Sequence, residues 1–200
     1  MPSFHMDTVM LAELWLFWML VLGLAVLLVA NLTIRRAPRQ RQELPLPQRG
    51  SIIPELRLLR LALPLELLWE IAQFPLYDVW HQDKWSYILY GLAHCTLGDL
   101  LILLIAYELV ALLAGGRSWY RSAPITGGLL FTLLGVVYTI YSESINVRIK
   151  GAWGYTELMP IVPLVNIGGT PFLQWLLIPS VLIWHMRQQY LPLQHDQPDR

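Results

Sequence analysis

The stretch LLRLALPLELLWEIAQFPLYDVW, residues 58–80, decides how the chain is read. A bilayer core takes roughly 20 residues of helix, so this run is long enough to cross one. It nevertheless carries Glu66, Glu70, Gln73 and Tyr77. These lie four, three and four residues apart, so a helix places them on one stripe. Two carboxyls and an amide turned toward hydrocarbon would be very costly. The stripe must therefore face the interior of a helical bundle.

Composition points the same way. Of 200 residues, 56% are hydrophobic and 14% charged, where a soluble domain carries roughly 25% charged residues. Much of the surface is expected to face lipid. The 14 basic and 14 acidic residues balance, which gives no general pull toward nucleic acid. The single Cys95 excludes an intrachain disulfide and any cysteine-built metal site, and its apolar setting makes it an inert core thiol. Many of the 9 tryptophans fall near the ends of apolar runs, as interface anchors do.

Working outward, the expected fold is an all-α, polytopic transmembrane helical bundle of about five spans, in one domain covering residues 1–200. The spans are about 11–34, 58–80, 87–114, 125–143 and 171–186. Pro64, Pro75 and Pro179 are expected to kink two of them. The first is no signal peptide, because no Lys or Arg precedes Arg35 and the run is too long. Residues 35–57 form a basic, proline-rich loop, and residues 144–170 an external loop. Within the latter, residues 158–167 are apolar but too short to span, so they re-enter the membrane or lie along its surface.

All of the 14 basic residues except Lys84, Arg148 and Lys150 fall on one side of this arrangement. The positive-inside rule then places the N-terminus outside and the C-terminus in the cytoplasm. That agrees with an odd number of spans. Arg35, Arg36, Arg39, Arg41 and Arg49 set this topology, and contact with anionic lipid headgroups would be a by-product.

Ionisable residues inside spans each need a partner, a cavity or a job. The third span carries His94, Cys95, Asp99 and Glu108. At roughly 1.5 Å of rise per residue, Glu70 and His94 share one depth and Glu66 and Asp99 another, all in the outer half. Glu66, Glu70, His94 and Asp99 are the candidate catalytic groups. Gln73, Tyr77, Glu143, Asn146, Trp153, Tyr155 and Gln174 are the candidate ligand-binding groups, with Trp153 and Tyr155 roofing an outward-opening pocket. Glu66 and Glu70 read equally well as protonated carboxyls that join helices by hydrogen bonding. No metal is assigned. A haem needs two histidines at matched depth, and His185 lies well below His94. A di-iron site needs Glu-x-x-His pairs, which are absent. A single metal held by Glu70, His94 and Asp99 stays open. No phosphate loop, nucleophile elbow or zincin motif occurs, and the cofactor is unknown.

The strings LLWEIAQFPLYDVW (67–80), HCTLGDLLI (94–102), ESINV, WGYTELMP and LQW resemble those of an uncharacterised family of small bacterial integral membrane proteins. That resemblance implies a bacterial inner (plasma) membrane and supplies no activity. A fainter likeness, in general arrangement alone, is to the emopamil-binding, sterol-isomerase-like fold. Its His-x-x-x-Glu pattern is absent, so no catalytic residue is carried across.

Two functions follow as expectations. One is a membrane protein with a polar intramembrane pocket that binds or acts on a lipid-like small molecule. Glu70 or Glu66 would then be acid or base, tuned by His94 and Asp99. The other is a non-catalytic accessory or assembly subunit docking a membrane-protein partner. A closed pocket holding Glu70 and His94 favours the first, and a filled interior favours the second. A repeat-built transporter fits the chain less well.

Overall fold

The computed structural model describes residues 3–33, 53–82 and 84–188. The cluster of arginines at 35–49, with its expected lipid contact, lies outside the described residues. The main helices are α1 (Ser3–Thr33), α2 (Pro54–Gln73), α4 (Trp85–Leu113), α6 (Pro124–Glu143) and α7 (Gly169–Gln188). Single turns α3 (Val79–Gln82) and α5 (Trp119–Ser122) lie between them.

Local chemistry sets the ends. Both α2 and α6 open on a proline, whose fixed φ suits a first turn and whose missing N–H would be unpaired there anyway. The second span was expected to run to residue 80. It stops as α-helix at Gln73, because Pro75 cannot donate into the ladder, and a 3-10 turn over Phe74–Leu76 follows. Tyr77 is consequently extended and sits off the helical stripe on which it was placed. Helix α4 closes at Gly115, where φ is 69°, with the Gly116 N–H donating to the Ala111 carbonyl at 2.8 Å. This left-handed closure is the glycine stop familiar at helix C-termini.

The helices close a ring. α2 packs on α4 and α7, and α6 packs on α4 and α7, while α1 lies outside the ring against α4. Leu58, Ala62, Leu103, Phe131 and Leu182 fill the centre without exposure. Gly135 lets the Trp175 ring lie directly on α6, since a Cβ there would come within 1.9 Å of that ring.

One end of the ring carries a cap. Helix α6 runs on as a π-helical segment, Ser144–Lys150. Residues 154–156 then pair with residues 76–78. The Asp78 N–H donates to the Gly154 carbonyl at 3.1 Å, and the Thr156 N–H to the Leu76 carbonyl at 2.9 Å. The Gly154 N–H returns a bond to Asp78 Oδ1 at 2.7 Å. Residues 158–167 form no helix. They turn into a small hairpin, β1 (Ile161–Val162) against β2 (Ile167–Gly168). Among the described residues the fold is all-α apart from this hairpin and the bridge between Tyr77 and Tyr155.

Burial in α2 is inverted relative to a water-soluble helix. Glu66 is 1% exposed and Leu68 is 64% exposed. In α7, likewise, Gln174 is buried while Leu173, Leu177 and Val181 are exposed. Three helical segments are long and apolar enough to cross a membrane: Trp15–Thr33, Trp85–Leu113 and Pro124–Lys150.

Candidate functional site

The stripe on α2 faces inward, as its spacing requires. Glu55, Leu58, Ala62, Glu66, Glu70 and Gln73 are its buried residues, each three or four positions from the next. Opposite them α7 presents Gln174, and α4 presents Asp99.

Gln174 is the hub. Its Nε2 lies 2.7 Å from Glu66 Oε2, 3.0 Å from Asp99 Oδ2 and 3.4 Å from Glu70 Oε1. Its Oε1 accepts from Gln73 Nε2 at 3.1 Å, and Gln73 also donates to Glu70 Oε1 at 2.7 Å. Trp69 Nε1 donates to Gln73 Oε1 at 3.2 Å, which fixes that amide's orientation. Three helices thus converge on one side-chain amide.

The network is rich in acceptors. Three carboxyls meet two amides, and a glutamine amide has only two N–H groups. Among the described residues no Lys, Arg or His forms an ion pair with Glu66, Glu70 or Asp99.

Glu143 continues the polar line toward the cap. It is buried at the end of α6 and close enough for its charge to act on Glu70 and Tyr77. The Tyr155 hydroxyl donates to Glu143 Oε2. Burial, and then this bond to Glu143, hold the Tyr155 hydroxyl above its ordinary range, so it stays a donor. Trp153 stands edge-on to Tyr77, with ring centroids 6.3 Å apart, and Tyr155 lies 5.7 Å from the same ring. These aromatics roof the site, held by the pairing of residues 76–78 with 154–156.

Two candidates are not brought in. His94 is exposed on the outer side of α4, its ring stacked on Tyr90 at 5.6 Å. The expected approach of Glu70 and His94 does not occur. Five residues turn a helix by about 140°, so a helix that aims Asp99 inward must aim His94 away. Depth was matched and azimuth was not. Asn146 donates to Ser142 at 3.3 Å on its own helix and joins no carboxyl. No group of three or more His, Cys, Asp or Glu among the described residues is arranged to hold a metal.

Access differs across the cluster. Glu66, Glu70, Gln73 and Gln174 are at most 5% exposed, so the packing around them is nearly closed. Asp99 is half-buried, as are Cys95, Tyr138 and Ser142 on the facing sides of α4 and α6. The interior is closed behind Asp99 and less tightly covered in front of it.

A second polar cluster escaped the sequence reading. Arg117 binds Glu55 through Nε at 2.7 Å and through its terminal nitrogen at 2.5 Å, and its Nε stands 3.8 Å from Glu108 Oε1. Asn31 of α1 donates to Glu108 Oε2 at 2.7 Å and to its carbonyl at 2.9 Å. This clasp joins α1, α2, α4 and the turn after α4. Fully buried Leu58, Ala62 and Leu103 belong to the core between it and the carboxyl network. Asn31 and Glu108 were visible only as isolated interruptions of apolar runs. Compared with known protein families, curated proteins and solved structures, the chain matches none.

Proposed function

We propose that the chain is a multi-pass membrane protein of five spans, α1, α2, α4, α6 and α7. Its interior carboxyl network would hold a proton and receive the polar head of a lipid-like small molecule. The membrane reading for α2 and α7 is supported by their inverted burial, since leucines outside and carboxyls inside suit lipid and not water. Basic residues gathered on one side support an external N-terminus and a cytoplasmic C-terminus in a bacterial inner membrane.

The observation that carries the site is the excess of acceptors around Gln174. Three carboxyls with no cation need protons, and a group that gains or loses one there can act as acid or base. Approach is from between α4 and α6, where Asp99 is half-buried beside Tyr138 and Ser142. Asp99 takes the role first assigned to His94.

The test is mass spectrometry of small molecules and lipids retained after purification in mild detergent. Wild type is expected to retain a compound that Glu70→Gln and Asp99→Asn lose, while both variants stay folded. Equal retention by all three would remove the network as a binding site. A second reading, an accessory subunit, is the one favoured by the filled interior around Glu66, Glu70 and Gln174, with His94 outside it, and by the exposed length of α1 from Trp15 to Leu32. In that case α1 should crosslink to another membrane protein in cells, and the carboxyl variants should leave assembly intact.

A further inference from the structure

An open apolar groove of about 260 Å³ lies between α2 and α7, away from the carboxyl network. Leu61, Pro64, Leu65, Val181, Leu182 and His185 line it. Both helices carry an internal proline, Pro64 and Pro179.

We infer that this groove and the basic residues at its end form a binding site for an anionic phospholipid. The inference rests on the membrane reading above. Arg57 and Arg60 lie one helical turn before Leu61 and Pro64, so each stacks beneath a groove residue on its own stripe. On α7, His185 closes the groove, while Arg187, two positions on, is turned about 200° from it and takes no part. α2 starts and α7 ends at the same side of the bundle, because five spans alternate in direction. Arg57 and Arg60 on α2 and His185 on α7 therefore meet at one level. Arg60 and Arg187 are exposed, and Arg57 and His185 are half-buried.

The chemistry selects the occupant. Guanidinium groups at a membrane surface bind phosphate oxygens, often by two parallel bonds. The groove beside them offers leucine, valine and proline, with His185 its one polar member. A phosphate at the level of the arginines would send its acyl chain along Leu61, Leu65 and Val181. The acidic residue near this end, Glu55, is buried and already bound to Arg117, so it does not oppose the anion at the surface.

The experiment uses the full chain in lipid nanodiscs. Phosphatidylglycerol or phosphatidylcholine carries a photoactivatable group on one acyl chain, and labelled peptides are mapped. Phosphatidylglycerol should label the peptides around residues 61–65 and 181–185 several-fold more than phosphatidylcholine. Arg60→Gln should reduce that labelling roughly fivefold, each basic residue near an anionic surface being worth about a factor of five, whereas Arg187→Gln, on the far side of α7, should leave it unchanged. Arg60 is exposed, so its variant should melt like wild type. Val181→Trp, which fills the groove, should displace labelling from these peptides while leaving ligand retention by the carboxyl network unchanged. Equal labelling by the two lipids, or labelling spread evenly over α1 and α6, would overturn the site. So would crosslinks from Val181 to another protein in place of lipid. Loss of the small molecule from the carboxyl network with lipid labelling intact would fault the proposed function and not this inference.

Discussion

Replacing Gln174 by Leu removes the hub of the carboxyl network with little change in volume. The side chain makes four polar contacts, to Glu66 at 2.7 Å, Asp99 at 3.0 Å, Gln73 at 3.1 Å and Glu70 at 3.4 Å. Two N–H groups and one carbonyl make at most three of these full hydrogen bonds; interhelical hydrogen bonds inside membranes average about 0.6 kcal/mol each, so three account for roughly 2 kcal/mol. Leaving a buried acceptor unsatisfied costs about 1–3 kcal/mol, and the carboxyls here have few other donors. The expected loss is therefore about 2–4 kcal/mol, with the upper end reached only if the carboxyls cannot bond to one another. Adding Glu66→Gln removes one carboxyl and supplies N–H groups, so the double variant should recover at least about 1 kcal/mol. Reversible unfolding in mixed micelles, titrated with denaturing detergent, gives both numbers. A loss below about 0.5 kcal/mol for Gln174→Leu, or strict additivity with Glu66→Gln, would refute the hub.

Three further outcomes are expected. Gly135→Ala should destabilise by roughly 1–3 kcal/mol in the same assay, because its Cβ would meet Trp175 at 1.9 Å, whereas Gly98→Ala, with nothing within 4 Å, should not. Arg117→Met strands Glu55 and Glu108; the arginine is partly exposed, so the loss should be about 2 kcal/mol, below the 3–5 typical of a fully buried pair, and Glu55→Gln should restore part of it. His94→Ala should change stability by less than about 0.5 kcal/mol and leave ligand retention intact, since the ring is exposed; retention falling as in Glu70→Gln would return His94 to the site.

Residues 58–80 alone determined that an apolar helix carries a carboxyl stripe and that the stripe must be buried. Spacing fixes which residues share a face, and hydrocarbon forbids that face from being outward. Composition and apolar run length determined the helical class and the approximate bounds of the long helices by the same local arithmetic. Pro75 was visible too, but its effect on Tyr77 was not. Whether a proline kinks a helix or ends it depends on what pairs with the freed backbone, and here residues 154–156 supply that partner.

What only the tertiary structure decided is how the helices are rotated about their axes. His94 and Asp99 occupy one helix at neighbouring depths, and the sequence holds no rule saying which of two azimuths faces α2. Packing chose Asp99, because Gln174 on α7 offers it an N–H and the ring of four helices leaves His94 on the outside. The clasp of Asn31, Glu55, Glu108 and Arg117 was hidden for a related reason. Its members come from four segments separated by up to 86 residues along the chain, and no periodicity links them. Periodicity reports one helix at a time, and a network built across helices exists only once they are packed together.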